Sequence, residues 1–200
     1  MRSERRKDKP MGKVWLVGAG PGDPGLLTLR GREVLERAEV VVFDRLVGAG
    51  LFAFFPEGAE RLDVGKEGGR HPVPQREIEA LLVDRALAGR RVVRLKGGDP
   101  YVLGRGGEEA VACQRAGVAV EVVPGITSAV SVPAAAGIPV THRGLSRGFS
   151  VITAHADLGV LPQRRDHTLI LLMGVSRLRD SLTSLLEAGS DPATPAAIIE

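Results

Sequence analysis

The apolar positions of this chain alternate between short continuous runs and helix-spaced stripes. Residues 14–17 form an apolar run ended by Gly18, the pattern of a buried strand. A glycine- and proline-rich loop follows to Gly25, and residues 26–38 then set Leu27, Val34, Leu35 and Ala38 at helical spacing among Arg and Glu. Residues 40–43 predict a second strand that ends at Asp44. Strand, loop, helix, strand is the opening of a parallel α/β sheet, because parallel neighbours need a crossover long enough to hold a helix.

The alternation continues downstream. Ile78, Leu81, Leu82 and Ala86 share a helix face that Gly89 terminates, and residues 91–95 predict a strand running into Lys96-Gly97-Gly98-Asp99-Pro100. A helix is expected over 108–116, stopped by Gly117, then a strand over 118–123. Pro124-Gly125 punctuates the chain, so two α/β domains are expected, over 12–124 and 125–200. The second reads as a helix at 127–136, strands at 149–153 and 168–173, a helix at 175–188 and a strand at 196–199. With a strand so close to Glu200 and a shorter length than the first, this domain is expected to be a truncated α/β layer.

Composition narrows the class. The 200 residues are 44% hydrophobic and 26% charged, as in a soluble globular chain. A sequence pI near 9.4 suggests nucleic acid, but residues 1–9 hold five basic against two acidic side chains and the remainder is neutral. Residues 1–11 therefore read as a disordered basic tail, and with aromatics at 4% no nucleic-acid partner is expected. No apolar run is long enough to cross a bilayer, so no membrane partner is expected. The single Cys113 excludes an intrachain disulfide and reads as a small core residue, which suits a reducing, cytoplasmic setting. His71, His142, His155 and His167 show no ligand spacing, so no metal is expected. The absence of Gly-x-Ser-x-Gly argues against a hydrolase. Of 27 basic residues only five are lysines, and Lys66 and Lys96 both sit in glycine-flanked segments.

Two strand-end loops carry the candidate chemistry. Gly18-Ala19-Gly20-Pro21-Gly22-Asp23-Pro24 stands where a dinucleotide-binding fold keeps its glycine fingerprint, with Asp44 ending the second strand, so an NAD-type oxidoreductase is the obvious rival. Asp23 occupies the third glycine position, adding negative charge, and Pro21 removes an amide donor. Such a loop suits close backbone approach to a neutral or cationic nucleoside better than to pyrophosphate. In the second loop Gly97 and Gly98 allow the same approach, and Asp99 suits a ribose hydroxyl, an amino group or a tight turn.

In order along the chain stand G-A-G-P-G-D-P from Gly18, F-D-R-L-V from Phe43, V-G-K from Val64, R-L-K-G-G-D-P from Arg94, G-R-G-G-E-E from Gly104, V-V-P-G-I-T-S-A from Val122 and G-I-P-V-T-H-R-G from Gly137. This series resembles the tetrapyrrole methylase family, which uses S-adenosylmethionine, and within it the uroporphyrinogen-III C-methyltransferase branch. The resemblance implies two α/β domains with the active site in the cleft between them. It implies cofactor contacts at Pro21, Gly97, Gly98, Asp99, Val102, Thr127, Ser128 and Met173. Asp44 is implied as proton acceptor and Lys66 as proton donor, the alternative being a structural salt bridge between them. Arg45, Arg105, His142 and Arg143 are implied to meet substrate carboxylates. The implied reaction is two successive methyl transfers to uroporphyrinogen III, giving precorrin-2 for sirohaem or cobalamin, by a homodimer. Another tetrapyrrole methylase, acting at a different ring carbon, and a non-catalytic binding remnant are the alternatives.

Overall fold

The computed structural model describes residues 11–65, 73–161 and 164–199, and divides into two compact units, one reaching to Thr127 and one beginning at Ser128. The expected tail lies outside the described residues, apart from Met11.

The first unit is built on five parallel strands, β1 (Lys13–Gly18), β2 (Val40–Phe43), β3 (Glu60–Asp63), β4 (Arg91–Lys96) and β5 (Ala119–Val123), in the order β3-β2-β4-β1-β5. Helix α1 (Leu29–Leu35) covers one face, where Val34 and Leu35 pack with Val17, Val41, Val93 and Leu95. Helices α2 (Gln75–Leu87) and α3 (Gly106–Arg115) cover the other, where Ile78, Leu82, Ala86 and Cys113 meet Val14, Leu16, Val40, Val42 and Val92. The central strands are apolar on both faces because both faces are covered.

Chain direction creates a crevice. From β1 the chain leaves through α1 toward β2, whereas from the neighbouring β4 it leaves through α3 to β5 on the other side. Adjacent strands whose connections depart over opposite faces leave a gap beyond their carboxyl ends, where open α/β sheets bind ligands.

The second unit contains α4 (Ser128–Ala135), the parallel pair β6 (Gly148–Thr153) and β7 (His167–Leu172), and α5 (Leu178–Glu187). In β6 and β7 no residue is buried.

Four expectations need correction. The helix expected over 26–38 is only α1, because the Thr28 hydroxyl accepts the Gly31 amide at 3.0 Å and caps it there. Ahead of it Pro24–Leu26 forms a separate 3-10 turn, capped by Asp23. The strand at 168–173 stops at Leu172, since Met173 adopts φ 57°. The helix at 175–188 is a 3-10 turn, Val175–Arg177, followed by α5. No strand forms over 196–199; those residues are irregular and exposed, and apolar sequence makes no strand where no described strand pairs with it. The sequence reading also missed β3, a four-residue edge strand whose residues are at most partly buried.

Candidate active site

The carboxyl edge of the first sheet brings three loops into backbone contact. The Gly20 amide donates to the Gly98 carbonyl at 3.1 Å, the Gly98 amide returns to the Gly20 carbonyl at 2.7 Å, and the Ala19 amide donates to the Lys96 carbonyl at 2.7 Å. A Cβ on Gly18 would run into Gly125 Cα, and one on Gly125 would strike the Gly98 carbonyl oxygen. Glycine is required here by close approach of three backbones, not by turn geometry alone. The loop after β2 joins them, since a Cβ on Gly97 would come within 2.6 Å of Leu46 Cβ.

Asp99 ties this junction. Its Oδ1 accepts the Tyr101 amide at 2.8 Å and its Oδ2 accepts the Gly125 amide at 3.0 Å. Each oxygen keeps a second lone pair, so the clamp leaves room to accept a hydroxyl. Pro21 is half-buried in the first loop and offers no amide, and the Asp23 carboxylate is engaged by Gly25 N at 2.7 Å. In the first loop the Ala19, Gly20 and Gly25 amides are already bonded and Pro21 and Pro24 have none, an arrangement ill suited to a pyrophosphate, which needs free amides. Pro21, Gly97, Gly98 and Asp99, expected to contact S-adenosylmethionine, lie on these two loops, and the spare lone pairs of Asp99 fit a ribose hydroxyl. Val102 follows on an exposed turn, and Thr127 is half-buried at the end of the unit.

Beneath the cradle lies a group of charges that the sequence reading missed. Strand β4 points Val93 and Leu95 to one face, and Val92, Arg94 and Lys96 to the face that α3 covers. Glu109 of α3 is fully buried, and its Oε1 accepts Lys96 Nζ at 2.9 Å, Arg94 Nε at 3.2 Å and Gln75 Nε2 at 3.3 Å. Arg94 also donates Nη2 to Asp44 Oδ2 at 3.1 Å and Nη1 to the Leu95 carbonyl at 3.0 Å. Two cations and two anions therefore balance in a nearly closed space. Burial pushes the Lys96 ammonium below its ordinary pKa, Arg94 pushes the same way, and Glu109 opposes both. Two signals in the sequence could have located this group: cations two apart on one face of an apolar strand, and an acid four residues before Cys113 on the buried face of a helix.

Asp44 itself is 23% exposed, with Oδ1 accepting the Leu46 amide at 3.1 Å. Among the described residues it pairs with Arg94; Lys66, expected as proton donor or salt-bridge partner, lies outside them, as does His71. Arg45 is exposed beside the Asp44 turn. Arg105 clasps Glu108 through Nε and Nη2 at 2.9 and 2.7 Å, and this pair raises the guanidinium pKa. Cys113 is buried, which pushes its thiol up to about 11 and makes it unreactive.

Ser128, His142, Arg143 and Met173 belong to the second unit. Ser128 opens α4. The His142 Nδ1–H donates to the Arg143 carbonyl at 2.9 Å within a turn closed by His142 and Ser146 backbone bonds, and both side chains are exposed. Met173 is 57% exposed rather than packed in a core. Leu103, Arg105 and Met173 are the non-glycine residues held at positive φ among those described. Such strain gathers where function fixes a backbone, and two of the three are expected site residues. Among the described residues no group of three or more His, Cys, Asp or Glu could hold a metal, and no helix is long and apolar enough to span a membrane.

Comparison with known proteins gives the architecture its family. The sequence model of the tetrapyrrole (corrin/porphyrin) methylases matches residues 13–200. An S-adenosyl-L-methionine-dependent uroporphyrinogen III methyltransferase of Methanosarcina barkeri is 47% identical over 94% of this chain and 77% of its own length. Siroheme synthase 1 of Halorhodospira halophila is 43% identical over the whole chain, which spans only 42% of that larger protein. The crystal structure of uroporphyrin-III C-methyl transferase from Thermus thermophilus complexed with S-adenosyl homocysteine superposes with TM-score 0.75 at 47% identity, over 90% of this chain and 78% of that one. A family match across nearly the entire chain and a close structural likeness agree: this chain belongs to the tetrapyrrole methylase family.

Proposed function

We propose that the protein is an S-adenosylmethionine-dependent uroporphyrinogen-III C-methyltransferase that carries out two successive methyl transfers and forms precorrin-2. The observation that carries this reading is the meeting of Gly18, Gly98 and Gly125 at the crevice between β1 and β4, where the backbones approach too closely for any side chain. The cofactor, when bound, supplies an electrophilic sulfonium methyl. Pro21, Gly97, Gly98, Asp99, Val102, Thr127, Ser128 and Met173 are the residues assigned to hold it.

The protein's chemical task is then modest. In-line displacement gains most from aligning the nucleophilic carbon with the methyl and keeping water away. A C–C bond forms as the C–S bond breaks, and the macrocycle must lose a proton to restore neutrality. Asp44, with lone pairs left on a partly exposed carboxylate, is suited to take that proton, and Lys66 is assigned as donor. Uroporphyrinogen III is rich in carboxylates, which Arg45, Arg105, His142 and Arg143 are assigned to meet. The proposal takes the product toward sirohaem or cobalamin and the protein to be a cytoplasmic homodimer.

The test is anaerobic incubation of the protein with uroporphyrinogen III and methyl-labelled S-adenosylmethionine. Two labels per macrocycle are expected. Transfer only to a different tetrapyrrole, or none to uroporphyrinogen III, would overturn the assignment.

A further inference from the structure

Asp44 is short, sits at the end of a strand and has water on one side, yet a proton acceptor must be held in one orientation. The Asx turn to Leu46 N restrains only Oδ1. We infer that Arg94 is a positioning residue for Asp44, and that Glu109 serves as the buried anchor that keeps Arg94 in place. The inference rests on the proposed methyl transfer for the proton that Asp44 accepts, and on geometry alone for the positioning.

The geometry is restrictive. The Arg94 side chain is 4% exposed, and its Nε, Nη1 and Nη2 are each committed, to Glu109, the Leu95 carbonyl and Asp44. A second, longer bond runs from Nη1 to the Val42 carbonyl at 3.5 Å, so the guanidinium also spans from β4 to β2, the strand that Asp44 directly follows. A planar fork with this many fixed partners cannot swing, so the Asp44 oxygen it holds cannot swing either. Glu109 in turn anchors Lys96, the last residue of β4 and the first of the cradle loop. One buried carboxylate thereby sets both the orientation of the proposed proton acceptor and the start of the proposed cofactor loop.

The experiment compares wild type with Arg94→Lys, Asp44→Asn and the double variant, each checked for folding by its thermal transition. Lysine keeps the charge and loses the fork. Arg94→Lys is expected to lower kcat on the order of 100-fold, the scale of misplacing a reacting group by about 1 Å. KM and the affinity for S-adenosylhomocysteine should stay within about threefold, since no assigned ligand contact is touched. In the Asp44→Asn background the same substitution should cost less than about threefold, because the residue it acts through is already gone. Equal losses in both backgrounds, or loss of S-adenosylhomocysteine binding, would overturn the inference. If wild type transfers no methyl group, the proposed function falls by itself. The positioning is then decided by a crystal structure of Arg94→Lys: a displaced Asp44 carboxylate supports it, and an unmoved one refutes it.

Discussion

Strands β4 and β7 are equal in length and opposite in character. β4 reads RVVRLK and is buried from Val92 to Lys96 in spite of two cations on its covered face; β7 reads HTLILL and has no buried residue. The difference lies in their neighbours. β4 is central in a five-stranded sheet with helices on both faces, whereas among the described residues β7 pairs with β6 alone. Burial is a property of the layers a strand enters, not of its own hydrophobicity. A charge that enters such layers must bring its counter-charge along, and Glu109 does so for Arg94 and Lys96.

The largest test of this contrast removes the counter-charge. Glu109→Ala should cost about 3–5 kcal/mol in denaturant unfolding, since it leaves two cations enclosed without their shared anion. Asp166→Ala, in the second unit, breaks an ion pair with the 64% exposed Arg164 and should cost within about 1 kcal/mol. Equal losses would mean that the Glu109 group is not closed to solvent. Apolar truncation should separate the regions less sharply. Leu95→Ala, at a fully buried position, should cost about 2–5 kcal/mol, and Leu171→Ala, at a partly exposed one, about 1 kcal/mol.

These contrasts also explain what the sequence could disclose. Apart from the edge strand β3, the strand and helix order of the first unit was legible because parallel strands covered on both faces are mostly apolar and their helices carry an apolar face, as β1, β2 and α2 do. The cradle was legible from Gly18, Gly97, Gly98 and Pro21, where glycine and proline have specific backbone meanings. The Asp44–Arg94–Glu109–Lys96 group was not read as one, because Asp44 and Glu109 lie 50 and 15 residues from Arg94 and meet it only when β4 pairs with β2 and α3 packs against β4. The late start of α1 depended on a single Thr28 cap, and the irregular 196–199 on there being no partner strand among the described residues; periodicity reports neither.

The smallest effect sharpens the comparison at the edge of the same sheet. Glu121 on β5 is held at about 2, below its ordinary 4.5, chiefly by hydrogen bonds from Lys13 and Arg30. Its contribution to stability is complete above pH 4.5 and fades as pH falls from there toward 2. Glu121→Gln should therefore flatten the acid-side loss of stability in that window. At 31% exposure the change at neutral pH should remain within about 1 kcal/mol. An unchanged pH profile would show that the Lys13–Glu121–Arg30 cluster is not formed in solution.

The central claim, a backbone cradle at the β1–β4 crevice shaped for an S-adenosyl group, is tested most directly by calorimetric titration of the protein with S-adenosylhomocysteine, with NAD as the control. The account predicts saturable binding of S-adenosylhomocysteine at one site per chain and no heat with NAD. Binding of NAD, or no binding of S-adenosylhomocysteine, would contradict it.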